Sequence, residues 1–253
     1  QYNSSLPLVK ENDAYRKILK PKISLKLAPE HTKDSRNEET KIDISNIYSL
    51  NRLTDKTTEG GFSVTYGSEY SIFNNTNSNE IFNLNLANNL RLDENDDLSN
   101  SNQMGEKTSN LFSEITLSPN KYITTKYNNS LRNNLQEVSY ENLITEFKMN
   151  NLVTKFDYIN ENNTLERNTY LDNQTKFNLD KSNSLVFSTR ENKSIDLTEY
   201  YNLMYQYKND CLAASVEYNK DYYNDRELKP SESIFFKITI IPFGETSSPN
   251  LKK

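Results

Sequence analysis

The side chains that could carry out chemistry are few and scattered along this chain. The only thiol is Cys211, and the only imidazole is His31, which lies in the polar stretch EHTKDSRNEE. No second histidine or cysteine stands at metal-ligand spacing from His31, so a solvated loop residue is favoured over a metal ligand. No nucleophile has a recognisable base and orienting partner. We therefore expect no enzyme, no metal site and no cofactor.

Two further local signals lie in polar stretches of the sequence. The acidic run DENDD at 93–97 could collect Ca²⁺ or Mg²⁺ at an outer surface, but it lacks the glycine and glutamate positions of a calcium loop. The pair Gly60-Gly61 precedes no lysine-bearing phosphate loop. We interpret the acidic run as solvated loop charges, and the glycines as a bend where a strand begins or where a loop plugs a lumen.

The composition is polar, but it is not that of a disordered chain. Only 34% of the 253 residues are hydrophobic and tryptophan is absent, yet the chain carries 17 tyrosines and 11 phenylalanines. Disordered segments are poor in aromatic and β-branched residues, so this composition, with a mean hydropathy of −0.87, indicates a β-rich fold. The net charge of −5 and the scattered lysines and arginines argue against nucleic-acid binding.

The sequence shows no helical membrane segment. No apolar stretch reaches the ~20 residues that a membrane helix needs. Residues 1–18 contain no apolar signal-peptide core. If the protein is exported, we expect its signal peptide to precede this sequence.

Alternation of apolar and polar residues with period two is the strongest pattern in the chain. In PKISLKLA, Ile23, Leu25 and Leu27 share one face of a strand, while lysines and a serine take the other. Such alternation is typical of strands with one apolar and one wet face. It predicts about twelve strands, near 19–28, 58–73, 80–91, 108–117, 120–130, 138–147, 150–158, 168–178, 182–190, 195–207, 210–220 and 232–242.

The segments between these strands alternate between long and short. Residues 29–57 and DENDDLSNSNQMGEKTS are long, whereas NNTNSN and SPN are short. Outer-membrane barrels have short periplasmic turns and longer extracellular loops, and their strands need ~9–11 residues. A polar lumen also accounts for the low hydropathy. We predict an all-β, antiparallel transmembrane β-barrel; a secreted β-sandwich or β-solenoid is the alternative.

Three segments resemble the C-terminal part of the lipopolysaccharide-assembly family LptD, also called OstA or Imp. They are LKPKISLKLAP at 19–29, IDISNIYSLNRL at 42–53 followed by TEGGFSVTYGSEY at 58–70, and YNLMYQYKNDCLAASVEYNKDYYNDRELKPSESIFFKITIIPFG at 201–244. The last is the most specific, because it combines a polar turn, the cysteine, the RELKP loop and an alternating terminal strand. By this resemblance residues 1–253 are the C-terminal part of a larger barrel, without its first strands and its N-terminal periplasmic jellyroll.

The resemblance implies a non-enzymatic translocon subunit in the outer membrane of a Gram-negative bacterium. Such a subunit receives lipopolysaccharide from a periplasmic bridge protein of the LptA type, through the jellyroll, and inserts it into the outer leaflet. The family's lumen usually holds a lipoprotein, LptE, which is therefore an expected partner. The rival functions are a general porin or channel, which needs a self-contained barrel, and a secreted β-rich adhesin, which needs no detergent.

Cys211 gains a role from the same resemblance. In the family, cysteines of the late barrel form disulfides with the N-terminal periplasmic region, and Cys211 occupies the matching turn. If the chain ends in the periplasm, DYYNDRELKPS is extracellular and the KND turn is periplasmic, where a disulfide persists and an odd cysteine calls for an outside partner. The alternative is a small buried residue without a partner. Family members often carry two adjacent cysteines here, whereas this chain has Asp210 before Cys211, which puts a second disulfide in doubt.

The terminal strand SIFFKITIIPF resembles the family's lateral gate. Ile234, Phe236, Ile238 and Ile240 line one face, and a lumen-facing row alternates with them. In the family this strand meets the first barrel strand at a weak seam through which the lipid leaves. An edge without its partner exposes unpaired backbone groups, which is costly in hydrocarbon. Pro242 suits such an edge because it cannot donate a ladder hydrogen bond, although a strand terminator is the simpler interpretation.

Four lysines on polar strand faces are candidate contacts for the anionic head group of lipopolysaccharide. They are Lys22, Lys26, Lys155 and Lys237. A transporting lumen should be hydrophilic and should offer cations to lipid phosphates. The alternative is that these lysines balance carboxylates of the same lumen, such as Glu69, Asp157 and Glu217.

Overall fold

The part of the chain that the structure describes consists of sixteen β-strands with their turns and connections. The structure is a computed structural model that describes residues 1–29, 33–36, 41–53, 59–162, 167–222, 231–240, 244–247 and 251–252. The strands are β1 (Tyr2–Ser5), β2 (Leu8–Glu11), β3 (Tyr15–Ala28), β4 (Gly61–Asn74), β5 (Glu80–Arg91), β6 (Leu111–Asn120), β7 (Ile123–Leu131), β8 (Val138–Met149), β9 (Leu152–Asn162), β10 (Arg167–Asn178), β11 (Asn183–Asn192), β12 (Leu197–Lys208), β13 (Leu212–Asp221), β14 (Ser231–Ile240), β15 (Gly244–Ser247) and β16 (Leu251–Lys252). Within these residues no helix is long and apolar enough to cross a membrane.

The strands form one sheet whose order follows the sequence. It runs β1-β3 and then consecutively from β3 to β15, while β2 also pairs with β3 and β16 with β14. The neighbours pair antiparallel, as in β3 with β4 and β13 with β14. The all-β, antiparallel prediction is therefore confirmed, and the twelve predicted strands correspond to β3 through β14. Among the described residues, β1 and β15, which stand at the two ends of this order, do not pair with each other.

The start of β6 differs from the prediction of a strand near 108–117. Asn89 donates its backbone N–H to Ser109 Oγ at 2.9 Å, and the backbone N–H of Asn110 donates to the carbonyl of Asn102 at 3.1 Å. These bonds draw residues just before Leu111 into loop contacts, so the regular ladder with β5 begins only afterwards. Alternation does not predict β1 and β2, because four residues are too few for the period to stand out.

The chain forms two compact units that differ in what they bury. The first unit comprises residues 1–120, 124–142 and 160–167, and the second comprises 121–123, 143–159 and 168–253. The first unit contains an apolar cluster of buried residues: Ile42, Ile47, Leu53, Ala87, Leu98, Met104 and Phe112. Among its described residues, the second unit buries only these: Ser184, Val186, Asn192 and Ser233.

The burial of the two strand faces is the reverse of that in a soluble protein, because apolar side chains are exposed and polar ones are buried. On β3, Ile23, Leu25 and Leu27 are between 37% and 77% exposed, whereas Lys26 and its neighbour Ser63 on β4 are buried on the other side. We term the first side the apolar face and the second the polar face. Apolar residues that alternate outward with polar residues on the inner side are the pattern of strands that face lipid.

Candidate functional site on the polar face

The polar face of β3, β4 and β5 presents charged, amide and hydroxyl side chains in facing rows. The register places Lys26 opposite Ser63, Ser63 opposite Arg91, and Thr65 opposite Asn89. These five residues are at most 6% exposed. Polar groups at that depth need hydrogen-bond partners, so another part of the chain must cover and satisfy them.

Residues 41–53, here termed the inserted segment, provide this cover. In its sequence IDISNIYSL the apolar residues are spaced so that their side chains can point to one side of the segment. Two of them, Ile42 and Ile47, are buried in the apolar cluster beside Phe112. On β3, Lys26 Nζ donates to the carbonyl of Leu50 at 2.7 Å. The segment therefore packs through apolar contacts and is tied to the strand wall by hydrogen bonds.

A single carboxylate, Glu59, holds three cations in this buried region. Arg52 of the inserted segment donates to both carboxylate oxygens, Nε at 2.7 Å and Nη2 at 2.8 Å. Lys26 Nζ of β3 lies 3.3 Å from Oε2, and Arg91 Nη1 of β5 donates to Oε1. These four side chains are 1–5% exposed. We term them the Glu59 cluster; it joins two strands and the inserted segment through one group.

The Glu59 carboxylate is stabilised in its charged form. Burial alone would raise the pKa of Glu59, but hydrogen bonds from Arg52 and the positive charges of Arg52, Lys26 and Arg91 outweigh it and lower the pKa below its ordinary value of 4.5. Removal of this carboxylate would leave three buried cations without their shared partner. Such an uncompensated charge is far more costly than the intact pair.

Arg52 also fixes the inserted segment through neutral groups. Its Nη1 donates to the carbonyl of Ile47 at 3.0 Å and to Thr65 Oγ1 at 2.9 Å, and its Nη2 donates to Asn89 Oδ1 at 3.0 Å. The planar guanidinium has five N–H donors in a fixed fork, which suits a site with acceptors on several sides. Arg52 thus connects the segment to β4 and β5 as well as to Glu59.

Tyr48 of the inserted segment packs against Gly67 of β4. A Cβ built on Gly67 would overlap the Tyr48 hydroxyl and the carbonyl oxygen of Leu86 on β5. Burial raises the pKa of the Tyr48 phenol to about 12. Glycine is therefore required at position 67 because the tyrosine and the neighbouring strand occupy the space of a side chain.

The glycine pair and the acidic run lie together, at the start of β4 and just after the end of β5. Gly61 begins β4 with a φ of 86°, and a Cβ there would lie 2.9 Å from Arg91 Nη2, which confirms a bend at the start of the strand. The acidic run 93–97 lines a cavity of about 280 Å³ with the two glycines and Arg91. In the described part of the chain, no group of three or more His, Cys, Asp or Glu residues could hold a metal ion. His31 lies outside that part.

Besides Lys26, which pairs with Glu59, the predicted lysines Lys22 and Lys155 form ion pairs on polar strand faces. Lys22 Nζ of β3 lies 2.5 Å from Glu69 Oε2, and Lys155 Nζ of β9 lies 3.2 Å from Asp157 Oδ2. The alternative that they balance nearby carboxylates is thus realised in the structure. Contact with an anionic head group stays a prediction for both.

Lys26 and Lys237 differ in access. Lys26 is 4% exposed beneath the inserted segment, so a ligand reaches its amine only if the segment moves. Lys237 of β14 is exposed and lies opposite Ser215 of β13. Their roles as lipid contacts also stay predictions.

The terminal strand β14 carries its apolar row as predicted. Ile234, Phe236, Ile238 and Ile240 alternate along the strand and are 37–47% exposed. The far edge of β14 is covered, because β15 pairs with residues Lys237 to Ile240 and β16 pairs with Ser233 and Ile234. The sequence predicted no partner for this edge, but the short strands β15 and β16 pair with it in the structure. Pro242 lies outside the described residues.

Cys211 ends the tight turn between β12 and β13. Asn209 Oδ1 accepts the backbone N–H of Cys211 at 2.9 Å and that of Leu212 at 2.7 Å, an asparagine-stabilised turn. The thiol is free and exposed. The interpretation of Cys211 as a small buried residue is therefore wrong, because the turn holds it at the surface.

The polar face of the second unit carries a more open ion pair. Arg190 of β11 donates to both oxygens of Asp172 on β10 at 2.7 Å, and the two side chains are 38% and 23% exposed.

On the apolar face of the second unit, the ring of Tyr201 stacks with Phe187 at a centroid distance of 6.2 Å and meets Tyr222 edge-on at 5.8 Å. Aromatic side chains of this kind are enriched where membrane strands meet the interface.

Sequence alternation does not identify Arg52 or Tyr48, because both lie in a connection between strands. Glu59 falls in the predicted strand near 58–73, but β4 begins only at Gly61, so Glu59 belongs to the connection in the structure. Arg91 and Gly67 gave a usable signal, since both continue the polar rows of their strands and so belong to the polar face. What the sequence could not show is that a distant connection folds onto those rows. The apolar spacing in IDISNIYSL was the available hint.

One comparison with known proteins identifies a family. The family model described as LptD, LPS transport system D, matches residues 1–190 of this chain. The matched region includes the inserted segment and the Glu59 cluster, whereas Cys211 and β14 lie beyond it. No curated protein matches the chain.

Proposed function

Because this chain belongs to the LptD family of lipopolysaccharide transport proteins, whose model spans residues 1–190, we propose that it forms part of the outer-membrane translocon that inserts lipopolysaccharide into the outer leaflet. The family serves transport and outer-membrane assembly rather than catalysis. In this proposal residues 1–253 are the C-terminal part of the barrel, and the strands that complete it belong to a longer chain.

The inverted burial of the two strand faces carries the proposal. Large apolar side chains are exposed along β3 and β14, while serine, asparagine, lysine and arginine are buried on the polar face of the first unit. Lipid in place of water removes the cost of the exposed apolar face. A polar inner face gives the sugars and phosphates of an amphiphile a hydrated route, while its acyl chains need an apolar exit.

The inserted segment is proposed to act as a resident plug over the polar face of β3 to β5. It is held by the Glu59 cluster and by the packing of Tyr48 against Gly67. A wide barrel that passes a glycolipid needs such cover to keep small solutes out between transport events. Lys26 would then meet cargo only when the plug shifts, whereas Lys22, Lys155 and Lys237 would line the route.

The exit is proposed to lie at the far edge of β14. Its apolar row would face lipid, and Pro242 would weaken the seam by removing a backbone donor. The present occupants of that edge, β15 and β16, would have to yield to the first strand of the complete barrel. A partner strand that forms few bonds is easier to displace, which is what a lateral gate requires.

Cys211 is proposed to form a disulfide with a cysteine of the N-terminal periplasmic region. Support comes from its exposure in a tight turn and from the up-and-down strand order, which places this turn at the opposite strand end from the long connections 29–60 and 92–110. If those connections are extracellular, the thiol lies in the oxidising periplasm. The expected partners are the periplasmic bridge protein, through the N-terminal region, and an LptE-like lipoprotein in the lumen.

The proposal is tested in the native host by depleting the full-length protein and complementing with wild type or Cys211→Ser. Newly made lipopolysaccharide is labelled and its arrival at the cell surface is measured, and outer membranes are run on reducing and non-reducing gels. We expect surface arrival to stop on depletion and to return with wild type, and a disulfide-dependent mobility shift to be absent from the variant. Normal surface arrival after complete depletion would overturn the proposed function.

A further inference from the structure

A row of polar side chains interrupts the apolar face of the first unit. Ser113 of β6 lies on that face and donates to Asn129 Oδ1 of β7 at 2.6 Å. Tyr127 of β7 donates its hydroxyl to Glu141 Oε2 of β8, and Asn160 Nδ2 of β9 donates to Glu141 Oε1, both at 3.0 Å. We term these five residues the outer polar row. It crosses four neighbouring strands.

The row contrasts with the apolar face of β3 and with the rest of that face along β8. On β3 the same face carries only exposed aliphatic residues towards the strand end, such as Leu25 and Leu27. On β8 the residues that follow Glu141 with period two include exposed Leu143 and Phe147. A carboxylate that faces hydrocarbon is costly. The row must therefore meet a polar environment where the apolar stripe of β8 gives way to Glu141.

The position of the row along the strands agrees with a head-group layer. Glu141 lies near the ends of strands that are joined by the connections 132–137 and 163–166. In the up-and-down order this is the same end as the long connections 29–60 and 92–110. If these are extracellular, as in the proposed function, the row lies at the level of the head groups of the outer leaflet.

The chemistry of the row favours sugar hydroxyls over phosphates. It offers carboxylate, amide and hydroxyl groups, and within the described residues no lysine or arginine forms an ion pair with Glu141. A carboxylate without a cation repels phosphate but accepts hydroxyl donors strongly. Neighbouring strands are about 4.8 Å apart, so adjacent hydroxyls of one sugar reach side chains on two strands.

We propose that the outer polar row binds the sugar hydroxyls of glycolipid head groups in the surrounding outer leaflet. This site is separate from the polar face through which cargo would pass. The proposal rests on the proposed function only for its orientation, since it needs the long connections on the outside. Bound sugars would add hydrogen bonds to the remaining lone pairs of Glu141 and keep its charge out of hydrocarbon, and they would hold a shell of glycolipid against β6 to β9.

The test uses the full-length protein, with its lumen lipoprotein where the host has one, in detergent micelles. Three probes are added: lipopolysaccharide with its inner-core sugars, the same lipid A without them, and phosphatidylethanolamine. Binding to wild type, Glu141→Leu and Glu146→Gln is measured by native mass spectrometry and by the shift in melting temperature. Glu146 pairs with Lys148 on the opposite face of β8, so its variant removes the same charge from the same strand away from the row.

We expect the sugar-bearing lipid to bind wild type more tightly than lipid A, and Glu141→Leu to weaken that binding roughly tenfold, the loss of one charge-assisted hydrogen bond. Glu146→Gln should bind like wild type. Equal binding of both lipids, equal loss in both variants, or co-purification of a protein that covers the row would each overturn the inference. Surface delivery of lipopolysaccharide is scored separately: normal delivery without sugar-selective binding defeats this inference alone, and sugar-selective binding without delivery defeats the proposed function alone.

Discussion

The two units follow the same strand pattern but stabilise their polar faces in different ways. In the first unit the inserted segment covers β3 to β5, and the Glu59 cluster lies at 1–5% exposure. In the second unit the Arg190–Asp172 pair remains 38% and 23% exposed. Strand alternation therefore builds the scaffold of both units. Burial on the polar face is a local addition of the first unit, where it positions the inserted segment and part of the connection 92–110.

This difference predicts unequal sensitivity to mutation. A buried charge that loses its partner is expensive, because neither water nor another side chain replaces the lost interaction. A partly exposed pair that loses one member is rehydrated at little cost. Single substitutions should therefore release the inserted segment from the first unit, while matched substitutions in the second unit should leave its strands in place.

The largest effect is expected for Glu59→Gln. The variant leaves Lys26, Arg52 and Arg91 buried without a counter-charge, which should cost about 3–5 kcal/mol. In the full-length protein, trypsin cleavage after Arg52, which is 3% exposed, should become roughly a hundredfold faster or more.

The matched control is Glu69→Gln, whose carboxylate pairs with Lys22 on the same face but is 28% exposed. Its effect on cleavage after Arg52 should stay within a factor of about five. Equal effects of the two variants would contradict the view that the Glu59 cluster fixes the inserted segment.

Gly67→Ala should come next in size. The new methyl group overlaps the Tyr48 hydroxyl and the carbonyl of Leu86, so the inserted segment and the β4–β5 ladder must shift. Overpacking of this kind costs about 1–3 kcal/mol. We expect a lower free energy of unfolding in urea and less protection of residues 41–53 from proteolysis. The control Ser68→Ala, on the other face of β4, should change neither, and a stable, protected Gly67→Ala variant would show that Tyr48 does not pack there.

The twelve long strands were predictable because the alternation of apolar and polar residues continues over about ten residues in each strand. In each of them it separates an apolar face from a polar face. The position of the inserted segment was not predictable, because it depends on a few residues far apart in sequence: Arg52 and Glu59 in one connection, and Arg91 at the end of β5. Taken alone, each of these charged residues would be interpreted as a solvated surface residue. The covered edge of β14 was missed for a related reason, since the short strands β15 and β16 carry no periodic signal.

A smaller effect is expected from acid, and its sign follows from the lowered pKa of Glu59. A carboxylate whose pKa is depressed in the folded state contributes its full stabilisation above its ordinary value of 4.5, and loses it as the pH falls through the folded value. Amide hydrogen exchange in residues 41–53, corrected for intrinsic rates, should therefore speed up below about pH 4.5. In Glu59→Gln the same amides should exchange fast at neutral pH and gain no further acid dependence from this site. Identical acid profiles of the two proteins would assign the transition to another group.

The smallest effect is expected for Asp172→Asn in the second unit, and it sharpens the comparison most directly. The bond geometry of this pair is good, with both guanidinium contacts at 2.7 Å, so geometry alone would rank it beside the Glu59 cluster. Its exposure argues the other way, because water can solvate Arg190 after the carboxylate is lost. We expect the free energy of unfolding of the full-length protein to fall by no more than about 1 kcal/mol. A loss as large as that of Glu59→Gln would mean that charge-pair geometry, rather than burial under the inserted segment, distinguishes the two polar faces.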